Sequence, residues 1–303
     1  MRKSVRSFFL PTSLYLLLIE NMESLQEKLG VILGGTSGIG KALVQELFAL
    51  GANVVFSGTN KERGKELENQ LNASLPTPRV VFCQCDITDW AAQEMLFKTA
   101  TDKFNGPIYI VIVVAGILES SDLIDDSEQD GIYRTLQVNL AATAKANRLA
   151  IQHFLKNGRS GCIVNTSSVF GLCGAPLAPL YTASKHGIIG LTRSYGSLFR
   201  STDIRVNVVA PHFVDTPMIQ GAARNVAGAL GMVPMSFCVE AYIRAIQETS
   251  LNGDVLTVMA DGITVESRFS DTVHARLDDL CVDRKKAALE KIIEHFSNND
   301  NDL

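Results

Sequence analysis

The sequence predicts an α/β fold: a doubly wound parallel sheet of seven strands, with helices on both faces making three layers. Three observations predict it. Short runs that are apolar on both faces alternate with stretches of 3.6-residue periodicity, the pattern of buried parallel strands joined by helical crossovers. The first apolar run leads directly into a glycine-rich turn and then a helical pattern, "GGTSGIGKAL", which is how a phosphate-binding strand–turn–helix unit begins. No internal repeat or low-complexity linker divides the 303 residues, so one large domain accounts for them.

In chain order, strands are expected at Leu29–Leu33, Asn53–Phe56, Val80–Cys83, Ile108–Val114, Cys162–Asn165, Val206–Ala210 and Val255–Met259. Helical periodicity fills Gly38–Leu50, Lys61–Leu71, Ala91–Phe104, Gly131–Leu155 and Ala183–Phe199. The reading divides the chain into an N-terminal extension (1–24), a sheet-bearing domain (25–262) and a C-terminal tail (263–303). That tail carries one amphipathic helix near Asp283–Phe296 before "SNNDNDL", whose polarity predicts disorder. Thr216–Met235 holds Gly221, Gly228, Gly231 and Pro234 just past a strand end, the place for a flap over a ligand.

Composition narrows the function. A formal charge of −4 and pI near 5.8 supply no basic field for nucleic acid. None of the six cysteines forms a Cys-x-x-Cys pair and no histidine cluster joins them, so no metal is expected and the thiols read as reduced. The opening "MRKSVRSFFLPTSLYLLLI" has an apolar stretch too short for a stable membrane span, which needs about 20 residues. It also lacks a good signal-cleavage site, so a cytoplasmic location is expected, with a mitochondrial presequence as the alternative.

The chemistry concentrates in two places. Gly34, Gly38 and Gly40 stand at G-x-x-x-G-x-G spacing between strand and helix, where free N–H groups of a helix N-terminus can hold a diphosphate. Further along, Tyr181 and Lys185 lie four apart in "PLYTASKHG", downstream of Ser168 in "NTSS". A tyrosine ionises near pH 10 and is a poor base on its own. An ammonium one helical turn away shares its face and favours the phenolate.

From Leu29 to Met259 these segments together resemble the short-chain dehydrogenase/reductase family. The resemblance implies a Rossmann fold and NAD(P)-dependent interconversion of a secondary alcohol and a carbonyl. It implies a catalytic set of Asn139, Ser168, Tyr181 and Lys185, with Tyr181 exchanging the proton and Ser168 hydrogen-bonding the substrate oxygen. Lys185 would hold the ribose hydroxyls, and Asn139 a water leading to solvent. The implied cofactor-binding residues are Gly34, Thr36, Ser37, Gly38, Ile39, Gly40, Gly58, Thr59, Asn60, Asp86, Ile87, Ala115, Gly116, Val214 and Thr216, besides Asn139, Tyr181 and Lys185. Asp86 would meet adenine. The family also implies a homodimer or homotetramer using the helices that carry Asn139 and Tyr181.

Three positions depart from the family pattern. Leu33 replaces a threonine, Val113-Val114 replace an Asn-Asn pair, and His212 replaces the glycine of Pro-Gly. The lost Asn-Asn pair keeps a second reading open, a cofactor-binding regulatory pseudoenzyme. At the end of the second strand Gly58 stands where an NAD-selecting acid would sit, which favours NADP(H) over NAD(H). The small, apolar stretches Leu172–Pro179 and Thr216–Met235 imply an apolar small-molecule substrate.

Overall fold

The computed structural model describes residues 23–119, 132–158, 160–220, 224, 225, 227, 228, 231–266, 276 and 286–295. All seven expected strands form: β1 Leu29–Leu33, β2 Asn53–Gly58, β3 Val80–Gln84, β4 Ile108–Val113, β5 Ser160–Thr166, β6 Asp203–Pro211 and β7 Val255–Met259. Their order, β3-β2-β1-β4-β5-β6-β7, reverses direction between β1 and β4, and all these pairs are parallel. A crevice must open at that reversal, because the connections leave β1 and β4 towards opposite faces.

The helices divide between the faces. α1 Gly38–Ala49 and, after β6, α6 Met235–Gln247 cover one side, where Leu43, Leu47, Phe56, Tyr242 and Ile246 pack together. α3 Trp90–Phe104 and α4, whose main stretch is Ala142–Lys156, cover the other, with Leu96, Phe97, Leu149 and Phe154. Alternate residues of β1 serve the two cores: Ile32 points to the first, Val31 and Leu33 to the second. α2 Lys61–Asn72 and α5 Pro179–Tyr195 complete the crossovers. Three layers result, as expected.

The sheet holds eight strands, one more than expected. β8 Gly262–Glu266 turns back antiparallel on β7 through Ala260-Asp261. Its residues are partly exposed, so no apolar run marks it in the sequence.

Two helices also differ from the periodicity. α4 starts as Arg134–Leu136, passes through a π-helical turn at Gln137–Ala141 and continues as Ala142–Lys156. α5 begins earlier than its hydrophobic pattern because Pro179 occupies its first turn, where a missing N–H costs nothing.

The extension up to residue 22 and the final "SNNDNDL" lie outside the described residues, as do Gly221 and its neighbours in the expected flap. From Glu23 the chain is tied down. Glu23 exchanges backbone and side-chain hydrogen bonds with Gln247, and Leu25 is buried. The tail helix is described over 286–295, and its Ile293 enters the core beside α4.

Candidate active site

At the β1/β4 reversal lies a cleft of about 370 Å³. Its floor is the glycine turn. Gly34 adopts φ +98° and Gly38 φ +52°, conformations that favour glycine. A Cβ on Gly34 would fall 2.6 Å from the Ala115 nitrogen, and one on Gly40 only 2.0 Å from the Gly34 oxygen. The turn is therefore a backbone cradle that side chains would fill. α1 starts at its lip with Ser37 making no side-chain cap and no acid in the first turn, leaving N–H donors open for an anion. These features fit a dinucleotide diphosphate.

Most of the expected cofactor residues meet here: Gly34, Thr36, Ser37, Gly38, Ile39, Gly58, Thr59, Asp86, Ile87, Ala115, Gly116, Val214 and Thr216 all line the cleft. Asp86 accepts from the Thr88 nitrogen at 2.9 Å and hydroxyl at 2.7 Å. Those bonds, with a smaller contribution from the Arg134 charge, hold its carboxyl below the usual range. Besides Asn139, two expected residues stand apart from the wall. Gly40 closes the turn from behind, and Asn60 caps α2, accepting from the Arg63 nitrogen at 2.8 Å.

Ser168, Tyr181 and Lys185 line the same cleft. Ser168 follows β5 and leans on β6, its Oγ donating to the Pro211 carbonyl at 3.3 Å. Lys185 is buried (4 % exposed) and donates to the Thr166 carbonyl at 2.9 Å. Its ammonium stands 5.4 Å from the Tyr181 ring centroid.

The expected lowering of Tyr181 by Lys185 is not what dominates. Burial pushes the Tyr181 hydroxyl up, opposed by its hydrogen bond with Ser168. Burial also pushes the Lys185 ammonium down to about 8. Both groups sit where charge of either sign is poorly solvated.

Asn139 is fully buried and does not line the cleft among the described residues. It lies in the π-helical turn of α4, a distortion frequent at functional sites. A Cβ on Gly116 would approach the Asn139 Oδ1 at 3.2 Å and the Lys185 Nζ at 3.6 Å, so both flank that glycine.

Two of the three departures have defined surroundings. Where Val113-Val114 replace amide side chains, the Thr166 hydroxyl donates to the Val113 carbonyl at 2.7 Å and pairs with Tyr242 at 2.6 Å. His212 packs against Phe213 (centroids 4.6 Å) and faces Phe170 (6.4 Å), and burial lowers its pKa. It is thus neutral near pH 7. Met218, from the expected flap, lines the cleft; so do Arg134, Cys85, Phe170 and Phe213, which the sequence had not singled out for it. They carry no motif, and only the fold brings them to the wall. The Cys85 thiol, raised to about 11 by burial, stays protonated.

The model of the short chain dehydrogenase family matches residues 28–227. The chain belongs to that family. It is an NAD(P)-dependent oxidoreductase acting on hydroxyl groups. It is 29 % identical to a mouse 15-hydroxyprostaglandin dehydrogenase [NAD(+)], over 77 % of this chain and 90 % of the relative. It is 30 % identical to 3beta-hydroxysteroid dehydrogenase 2 of Eggerthella lenta, over 75 % and 92 %. The solved structure "ElxO with NADP Bound" superposes with a TM-score of 0.68 at 24 % identity, covering 78 % of this chain and 98 % of that one, and agrees in fold. Among the described residues no helix is long and apolar enough to cross a membrane.

Proposed function

We propose that this short-chain dehydrogenase interconverts an apolar secondary alcohol and its carbonyl, with NADP(H) preferred, through Ser168, Tyr181, Lys185 and Asn139. The observation that carries the reading is that Ser168, Tyr181 and Lys185 line one cleft together with the glycine cradle, Lys185 standing 5.4 Å from the Tyr181 ring. When bound, the dinucleotide supplies or accepts the hydride. Tyr181 gives its proton to the substrate oxygen in reduction and takes it back in oxidation. Its raised pKa keeps the hydroxyl protonated and ready to donate. Ser168 donates a hydrogen bond to the same oxygen. Lys185 holds the ribose, and Asn139, across Gly116, keeps the water through which Lys185 reaches solvent.

Two features support the preference for NADP. No acid ends β2, since Gly58 stands there. A second cavity of about 280 Å³ adjoins the glycine turn at Thr36, Ser37 and Gly38, and contains Lys41 and Arg63. Its two cations suit a 2′-phosphate, against the single carboxylate of Glu66 on the same wall. Relatives named for NAD(+) weigh the other way.

The apolar wall of Phe170, Phe213, Ile117, Leu118 and Met218 supports a greasy substrate. The relatives are named for a hydroxyprostaglandin and a hydroxysteroid. In a homodimer or homotetramer, which the family resemblance implies, α5 would pair along its open side: Gly187 already admits Leu140 of α4, while Gly190 meets nothing within 4 Å.

A panel of 3β-hydroxysteroids, 15-hydroxyprostaglandins and simple cyclic alcohols, followed by absorbance of the reduced cofactor, tests the reading. Tyr181→Phe should keep cofactor affinity and lose at least ~100-fold in turnover. Near-normal turnover in the folded variant would overturn the catalytic assignment. An unmodified chain that binds the dinucleotide yet turns over nothing would favour the regulatory alternative.

A further inference from the structure

α5 lacks a cap of its own. Ala178 at its N-cap makes no side-chain hydrogen bond, Pro179 follows, and no acid lies in the first turn. The cap comes from about sixty residues upstream. One carboxylate oxygen of Glu119, Oε2, accepts from the Leu180 nitrogen at 2.8 Å and from the Tyr181 nitrogen at 3.1 Å.

Glu119 belongs to a short strap after β4 whose other end is also fixed. The Ile117 nitrogen donates to Asn139 Oδ1 at 2.8 Å, and Asn139 Nδ2 donates to the Ile117 carbonyl at 3.0 Å. The same Nδ2 reaches Ser184 Oγ at 3.1 Å, and that hydroxyl donates to the Tyr181 carbonyl at 2.6 Å. A closed circuit results: Ile117 to Asn139, to Ser184, to the carbonyl of Tyr181, and from its amide through Glu119 back to the strap. Asn139 and Ser184 are both fully buried, so a lost member leaves its buried partner unsatisfied.

We propose that Glu119 is a positioning residue for Tyr181, acting with Ser184 to hold the tyrosine's backbone at both its N–H and its C=O. The inference rests on the catalytic reading of Tyr181 above. Fixing both peptide groups leaves the phenol only its side-chain torsions. Ile117 and Leu118 of the same strap line the cleft, so one segment sets both the proton donor and the wall that the substrate touches. Misplacing a reacting group by about 1 Å can cost up to ~100-fold in rate.

The test uses the full chain. In Glu119→Ala the amides of Leu180 and Tyr181 should exchange hydrogen at least ~10-fold faster, because two first-turn donors lose their acceptor. Turnover on the best alcohol of the panel above should fall about 10-fold, while dinucleotide dissociation constants stay within about twofold. Glu119→Gln keeps an acceptor oxygen and should recover most of the rate. Ser184→Ala should reproduce the signature, and it carries the test if Glu119→Ala does not fold.

Unchanged amide exchange, or turnover within twofold of the parent, would overturn the proposal. So would a loss of cofactor affinity parallel to the loss of rate, which marks a merely structural cap. Tyr181→Phe separates the two readings: if it stays active, the catalytic assignment fails. If it is dead while Glu119→Ala is normal, only the positioning role fails.

Discussion

Lys185 should make the protein less stable than it could be, and the cost can be worked out. Its pKa falls from 10.5 to about 8 on folding because burial strips the ammonium of water. That shift corresponds to roughly 3 kcal/mol of disfavoured charge at neutral pH. Lys185→Met removes the charge but leaves the Thr166 carbonyl without the donor it had at 2.9 Å, a loss of about 1–2 kcal/mol. The variant should therefore be more stable by about 1–2 kcal/mol at pH 7, raising Tm by roughly 2–8 °C for a domain of this size.

The pH dependence supplies the sign. Between pH 8 and 10.5 the unfolded lysine still holds its proton while the folded one has released it. The unfolded state thus binds more protons, and the parent's stability rises with pH across that window. The advantage of Lys185→Met should be greatest below pH 8 and fade towards 10.5. Thermal melts of both proteins from pH 7 to 10.5, without added dinucleotide, read this directly. A variant less stable at pH 7, or a difference that does not change with pH, would refute the reasoning. Turnover should be lost in the same variant, the usual exchange of activity for stability at a strained site.

Two further outcomes follow from the cleft. An acid at position 58, Gly58→Asp, is the obvious change for drawing preference towards NADH, but a Cβ at Gly58 would stand 2.6 Å from both Cγ2 and Oγ1 of Thr36. The single variant should weaken both cofactors, whereas Thr36→Ala/Gly58→Asp should shift the ratio of dissociation constants towards NADH by ~10-fold through repulsion of the 2′-phosphate. Tighter NADH than NADPH binding by the parent would remove the premise. His212→Gly should raise KM for the best apolar substrate about 10-fold, with a smaller change in kcat, since it deletes an aromatic wall and no proton donor. An unchanged KM would confine His212 to loop support.

The fold was legible because burial on both faces of a strand leaves a continuous apolar run, and all seven such runs became strands. β8 escaped because an edge strand exposed on one side needs no such run, and its pairing follows from a two-residue turn. The π-helical turn around Asn139 could not be read either, since one extra residue per turn barely alters a 3.6 periodicity. Within the site, spacing identified which residues share a strand end or helix face, and so it found the cradle and the Ser168, Tyr181 and Lys185 set. It could not tell a glycine that faces the cleft, such as Gly38, from one that packs behind it, as Gly40 does. Nor could it connect Glu119 with the amide of Tyr181 some sixty residues away.

The Tyr181–Lys185 pair shows where the limit lies. Four-residue spacing on a helix correctly brought the two side chains to one face, and proximity alone argued for a lowered tyrosine pKa. Proximity, however, competes with solvation, and solvation depends on what the rest of the chain places around the pair. The fold surrounds these residues with β5, β6 and the segment after Ser168, so burial acts on both at once. It raises the acid that would become an anion and lowers the base that is a cation. The same burial that unsettles both charges excludes the water that would screen them, so any charge beside the Tyr181 oxygen is felt more strongly here than it would be at the surface. A site legible as a constellation of residue types thus acquires its proton chemistry from the packing around it.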